Sequence, residues 1–182
     1  TKEERLRELD SLSGSSGLWS DSDQAKKVLK ERSELQEIVT NLKGIERDYF
    51  IKGKEIYLKE GYCITCHQAD GKGLRWSGFP SLSQSEWVTG NEDRLIKIVL
   101  NGLVGPIEVG DQKYKGDVPM TPFGKLLNDE EVAAVLTYVR NAFGNKAKVI
   151  LPDKVKTVRE SIKAKKGFYT AEELMQKHSP SN

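Results

Sequence analysis

The stretch Cys63-Ile64-Thr65-Cys66-His67 decides how this chain is read. It has the form C-x-x-C-H, and that form admits three chemistries. A c-type haem can take a thioether from each cysteine and an axial bond from the adjacent histidine. A structural zinc can take the same three side chains with a fourth. A dithiol can cycle with a disulfide.

The rest of the chain weighs these against each other. No other cysteine occurs in 182 residues, and the one other histidine is His178, in the tail. A four-ligand zinc site therefore lacks nearby donors. An i, i+3 disulfide would be strained and would close almost no loop. A redox C-x-x-C normally opens a helix after a strand. Here an amphipathic helical stretch precedes Cys63 and a glycine-rich, loop-like stretch follows it, so haem attachment is the favoured reading.

An electron-carrying haem iron needs a sixth ligand, and a thioether there favours the ferrous state. The two methionines are Met120 and Met175. Met120 sits in VPMTPFG (118–124), where prolines on both sides hold an extended loop suited to presenting a ligand. Met175 lies on a short amphipathic stretch, where a packing role is the stronger reading. His178 would give a bis-histidine alternative.

Outward from the motif, Tyr49, Phe50, Gly53, Ile56, Tyr57 and Leu58 pattern an amphipathic helix that starts near Arg47 and ends near Gly61. Asn91 can cap the helix NEDRLIKIVLNG, with Gly102 after its end. Ile107–Val109 and Lys113–Lys115, joined through Gly110-Asp111, predict a small hairpin. Asn128 and Glu131 have capping-box spacing and open a helix with Val132, Val135, Leu136, Val139 and Phe143 inward, closed by Gly144. Two helices are predicted in the tail, after Pro152 and after Thr170, with a basic linker Lys163–Gly167 between them.

Residues 47–144 resemble the single-haem class I cytochrome c domain. GKEIYLKEGYCITCHQADGKG (53–73) matches its first helix, attachment motif and loop, and VPMTPFGKLLNDEEVAAVLTYVRNAFG (118–144) its methionine loop and last helix. GFPSL (78–82), EWVTG (86–90), RLIKIVLNGLVGPIEV (94–109), FGNKA (143–147) and KKGFYTAEEL (165–174) are similar to the monohaem domains appended to periplasmic planctomycete-type dehydrogenases. The resemblance implies one covalent haem c, with His67 proximal and Met120 distal. It implies that the Pro80 carbonyl accepts from the His67 ring, and that Gly53 and Tyr57 pack on the last helix around Tyr138. It offers Arg75, Trp76 and Trp87 as candidates for the haem rim and propionates; for both tryptophans core packing is an equal reading, and for Arg75 a solvated surface charge is the stronger one. The hairpin is expected to cover a haem edge.

The first 46 residues read differently. TKEERLRELDSL (1–12) is a short helix with Leu6, Leu9 and Leu12 on one side, broken by Ser13–Gly17. A second helix is predicted from Asp21 to Lys43, with Ala25, Val28, Leu35, Val39 and Leu42 along one stripe and Ile38 and Ile45 widening it. Lys27–Glu31 and Lys30–Glu34 are i, i+4 pairs. The pattern predicts a helical hairpin or a coiled-coil surface. LWSDSDQAKKVLKERSEL (18–35) resembles the helical first domain of bacterial peptide chain release factors of the second class. The Gly-Gly-Gln and Ser-Pro-Phe motifs of that family are absent, so no release function is carried over.

The expected architecture is all-α: a class I cytochrome c fold with a β-hairpin insertion, preceded by a helical hairpin or coiled coil. Its expected parts are 1–46, 47–144 and a basic helical tail, 145–182. Charge is unevenly spread: 1–46 hold 8 basic and 10 acidic groups, 47–144 hold 12 and 13, and 145–182 hold 9 and 4. The overall balance of +2 argues for neither nucleic acid nor membrane as partner. No apolar run approaches a membrane span. The chain starts at Thr1 with no signal peptide, as expected of a processed product or a fragment. The expected role is a periplasmic electron carrier, not an enzyme. Its partners would be a dehydrogenase donor and an oxidase or cytochrome acceptor, with protein contacts through the N-terminal helices. A haem sensor or peroxidase-like protein with a labile sixth ligand is one alternative. A helical interaction module carrying the haem domain is another.

Overall fold

Thr1 opens helix α1 (Lys2–Ser13): its hydroxyl accepts from the Glu4 N–H at 3.2 Å, and the Glu4 carboxylate takes the chain's amino group in return. The computed structural model describes residues 1–59 and 63–177. A 3-10 turn, Ser16–Ser20, leads to Asp21, whose carboxylate accepts from the N–H groups of Asp23 and Gln24 and so caps α2 (Ser22–Leu58). The chain divides into two compact units, Thr1–Arg47 and Asp48–Asn182.

In the first unit α1 and the first part of α2 form a helical hairpin. Its buried side chains are Leu6, Leu9, Leu18, Ala25 and Val39. Ion pairs tie the two helices. Arg5 grips Glu31 with two bonds of 2.8 and 3.0 Å, Arg32 meets Asp10 at 2.6 Å, and Lys43 meets Glu3 at 3.1 Å. All are solvent-exposed, so each contributes roughly 0–1 kcal/mol. Two expectations change here. Glu31 pairs with Arg5 rather than Lys27, because a guanidinium fork engages both carboxylate oxygens where an ammonium offers a single point charge. Leu12, Ile38, Leu42 and Ile45 are exposed: α1 turns only Leu6 and Leu9 inward, too narrow a face to bury the wider stripe.

Helix α2 is also continuous where two helices were predicted. Gly44 lies within it and costs about 1 kcal/mol relative to alanine, which 36 other helical residues outweigh in the absence of a proline. The change of character at Arg47 marks the boundary between compact units, not a break in the helix. The predicted terminal glycine, Gly61, lies outside the described residues.

The second unit continues with α3 (Cys63–His67), a 3-10 turn (Arg75–Ser77), α4 (Glu86–Thr89), α5 (Glu92–Asn101), β1 (Leu103–Val104), β2 (Ile107–Val109), β3 (Gln112–Tyr114), α6 (Asp129–Asn141), α7 (Pro152–Ser161), β4 (Tyr169–Thr170) and α8 (Ala171–Lys177). The helices α5 and α6 supply the largest share of the core. Both start as predicted, on the side chains of Asn91 and Asn128, and the Asn128–Glu131 capping box is complete. Helix α6 ends at Asn141, so Phe143 lies beyond it, at φ +58°.

The final turns of α2 cross α6 at Gly53. A Cβ there would collide with the Ala134 carbonyl and sit 2.8 Å from the Tyr138 Cβ, so only glycine permits this approach. The rings of Phe50, Tyr57, Tyr138 and Phe143 cluster around the crossing, with centroids 5.0–5.5 Å apart and tilted or edge-on. Such pairs add about 0.5–1.5 kcal/mol each beyond the area they bury.

The hairpin is antiparallel, and its second strand starts one residue earlier than predicted, pairing Val109 with Gln112 across Gly110-Asp111. The tail packs on the same core. Helix α7 lies against α5 and α6, burying Val155 and Val158. Strand β4 pairs in parallel with β1, and Thr170 and Glu173 cap α8 reciprocally.

Candidate functional site

The single turn α3 delivers Cys63, Cys66 and His67 to one wall of an apolar cavity. His67 is buried, and its Nδ1 lies 2.9 Å from the Pro80 carbonyl oxygen. With the proton on Nδ1 the ring donates to that carbonyl, which fixes its orientation and leaves Nε2 as the atom with an available lone pair. Burial lowers the imidazole pKa, with the Pro80 contact opposing, so the neutral form is favoured. The chain leaves the turn through Gln68 at φ +62°, whose carbonyl accepts the Tyr57 hydroxyl at 2.6 Å. The last turn of α2 therefore pins the motif from behind.

Gly73 completes the His67–Pro80 arrangement. Its N–H donates to the His67 carbonyl, it has φ +66°, and an added Cβ would strike the carbonyls of Phe79 and Pro80. Ser81 and Leu82 then line the cavity wall, and Asn145 ties this segment to the end of α6 by bonds to the Leu82 and Val139 carbonyls and the Gln84 N–H.

Met120 comes to the same cavity from a loop far along the sequence from the motif. Its N–H donates to the Leu103 carbonyl at 2.8 Å, and three and four residues on, the Phe123 and Gly124 N–H groups donate to the Val99 and Leu100 carbonyls at the end of α5. The proline-bracketed loop is thereby stitched to a helix terminus. Met175 is elsewhere: its sulfur accepts from Arg94, as a packing residue would. His178 lies outside the described residues.

Trp87 lines the cavity and is buried, its indole N–H donating to the Glu108 carbonyl at 2.7 Å. Arg75 and Trp76 do not line it. Trp76 is 97% exposed, which also removes the core-packing reading for that residue. Both lie on the 3-10 turn, whose side chains point to solvent because Leu74 and Phe79 pair beneath them. Hairpin residues Ile107 and Val109 do line the cavity.

The cavity has an inner lobe and an outer lobe of about 480 Å³, in the range of about 300–1,000 Å³ common to cofactor sites. No Asp, Glu, Lys or Arg is among the described residues that line either lobe. That chemistry fits a large apolar group held by sulfur and imidazole. It does not fit the alternatives. Burial pushes the Cys63 thiol up to about 11 and raises Cys66 as well, where a redox dithiol needs a depressed thiol pKa. No cluster of three or more His, Cys, Asp or Glu side chains able to hold a metal ion occurs among the described residues.

Residues 50–143 match the family model for cytochrome c. The chain belongs to the cytochrome c family. Its members carry covalently bound haem c, and one attachment motif accounts for one haem. Cytochrome c-552 of Thermus thermophilus is 40% identical over 101 residues, which are 53% of this chain and 72% of that protein. The fructose dehydrogenase cytochrome subunit of Gluconobacter japonicus is 35% identical over 56% of this chain and 21% of the subunit. The gluconate 2-dehydrogenase cytochrome c subunit of Pantoea cypripedii is 33% identical over 63% of this chain and 26% of the subunit. The chain thus spans about a fifth to a quarter of the two dehydrogenase subunits. No helix among the described residues is long and apolar enough to cross a membrane.

Two functional features escaped the sequence reading. Gln68 carries a left-handed backbone on a residue type that gives no warning of it. Arg94 is a fully buried cation and Arg140 a nearly buried one, yet in sequence they look like the solvated charges of amphipathic helices.

Proposed function

We propose that this cytochrome c carries single electrons between a dehydrogenase and a downstream acceptor in an exported, periplasmic setting. In this reading Cys63 and Cys66 form the thioethers, His67 Nε2 is the proximal ligand, and Met120 Sδ is the distal ligand. Bound there, the haem supplies reversible one-electron chemistry. The chain's own residues orient and insulate it. Pro80 holds the His67 ring, Trp87 and the hairpin wall off water, and the proline-bracketed loop presents the Met120 sulfur. Both axial positions are then filled, so no substrate is transformed on this chain.

The observation that carries the reading is that His67 and Met120 line one uncharged cavity while His67 Nδ1 is already engaged by Pro80. The similarity to cytochrome subunits of dehydrogenases supports the choice of donor. We assign the first unit, with its exposed Ile38, Leu42 and Ile45, to contacts with other proteins.

Visible spectra of the haem-loaded ferric and ferrous protein, with and without carbon monoxide, test this. A low-spin spectrum with a methionine-to-iron charge-transfer band, lost in Met120→Ala together with a fall in potential, is expected. A high-spin protein that binds carbon monoxide at once would overturn the ligand pair and favour a sensor or peroxidase-like role.

A further inference from the structure

Arg94 has 0% relative exposure and meets no carboxylate within ion-pair distance among the described residues. Its fork donates to the Glu86 main-chain carbonyl at 2.7 Å and to the Met175 sulfur at 3.3 Å. The guanidinium carbon sits 4.4 Å from the centroid of the Trp87 ring, and Nε is buried with no acceptor. The carboxylate of Glu86 is engaged elsewhere, accepting the Gly110 N–H at 3.1 and 3.2 Å. Arg140 makes the contrast. It too is buried, but Glu92 supplies a carboxylate at 3.7 Å and three carbonyls complete its shell.

Keeping a cation in a core without a direct ion pair is costly, and an apolar residue of similar volume would be the cheaper choice for packing alone. Burial lowers the Arg94 pKa, with the Glu86 charge opposing, yet a guanidinium stays protonated in proteins. The charge stands directly behind Trp87, and Trp87 is part of the wall of the uncharged cavity. We propose that Arg94 is a positioning and potential-setting residue: it clamps Trp87 against the haem pocket and its charge favours the electron-loaded state. An electron arriving from the donor lowers the charge of the site by one unit, and a nearby cation in a medium of low dielectric stabilises that state. This rests on the electron-carrier reading above, but not on the identity of the sixth ligand.

A unit charge within about 10 Å, at an effective dielectric near 20, changes an equilibrium by roughly tenfold. Tenfold is ~59 mV for one electron. The midpoint potential of the haem-loaded protein is the readout. Arg94→Met should lower it by about that much, whereas Arg94→Lys should stay near the parent. Because Arg94→Met can fail to fold, a second pair leaves the arginine in place. Met175→Glu sets a carboxylate beside the guanidinium fork and should lower the potential, while Met175→Gln should not. Equal potentials in Met175→Glu and Met175→Gln would overturn the proposal, as would an Arg94→Lys potential as low as that of Arg94→Met. The charge-transfer band, read in the same samples, separates this outcome from failure of the Met120 assignment.

Discussion

His67 and Pro80 are thirteen residues apart and joined by one contact, 2.9 Å from Nδ1 to the carbonyl oxygen. The proline ring cannot be responsible by itself, because the acceptor is a main-chain atom. Gly73 is what holds that atom in place, lying under the Phe79 and Pro80 carbonyls with a left-handed backbone. Gly73→Ala should therefore act on the histidine it never touches with a side chain. The expected result is a stability loss of roughly 1–3 kcal/mol in denaturant melts, from backbone strain and crowding. It should be accompanied by a lower potential and an altered low-spin signal as the His67 ring loses its fixed acceptor. A variant that is destabilised but spectroscopically and electrochemically identical would show that Gly73 serves packing alone.

The motif, the methionine loop and the caps of α5 and α6 were legible because each depends on local chemistry. Cys63, Cys66 and His67 are adjacent, Pro119 and Pro122 flank Met120, and Asn128 reaches only three residues ahead. The Gly53 crossing was legible through the family resemblance. What stayed hidden depends on long-range packing. Nothing in NEDRLIK distinguishes Arg94 from Lys97 as the residue to be buried, since that depends on Trp87 and Met175 arriving from two other segments. The continuity of α2 was hidden for the converse reason. Gly44 is a local break signal that the surrounding helix overrides. Trp76 misled in the same way: apolar character argues for burial, but Leu74–Phe79 pairing turns it outward.

The N-terminal hairpin has one side chain on which its packing depends. Leu9 has 0% relative exposure, while the ion pairs around it are exposed and weak. Leu9→Ala should cost about 2–5 kcal/mol in that unit and release α1, seen as lost far-ultraviolet helicity and loss of amide-exchange protection over residues 2–13. The haem spectrum should not change, because all described residues lining the cavity belong to Asp48–Asn182. A changed spectrum would refute that independence.

Glu173 gives the tail a pH dependence of known sign. Its carboxylate accepts from Lys165 Nζ at 2.8 and 3.1 Å and from the Thr170 N–H, and these contacts hold its pKa below the ordinary 4.5. A depressed carboxylate pKa stabilises the fold above the unfolded value and loses that contribution as pH falls below it. The group is largely exposed, so the effect is small. Between about pH 5 and pH 3 the stability of the parent should fall more steeply than that of Glu173→Gln. Amide exchange along α8 is the local probe, and parallel pH profiles in the two proteins would sink the assignment.

Trp76 presents almost its whole side chain to water, on the turn that runs into the cavity-lining Gly78 and Phe79. Leu126 and Val118, at 65% and 54% exposure, line the outer lobe of the same cavity. A tryptophan left in water gains nothing for the monomer, and such residues dominate binding energy once a partner covers them. Arg75 beside it adds an exposed charge. Trp76→Ser should therefore leave the melting curve within about 0.5 kcal/mol of the parent and leave the visible spectrum intact. Electron exchange with a small-molecule reductant should be unchanged, because that reagent needs no docking surface. Exchange with the proposed dehydrogenase donor or protein acceptor should slow by roughly tenfold or more, through weaker docking. If both protein partners react at the parental rate, Trp76 lies outside the docking surface, and the site of contact must be sought around Val118 and Leu126 alone.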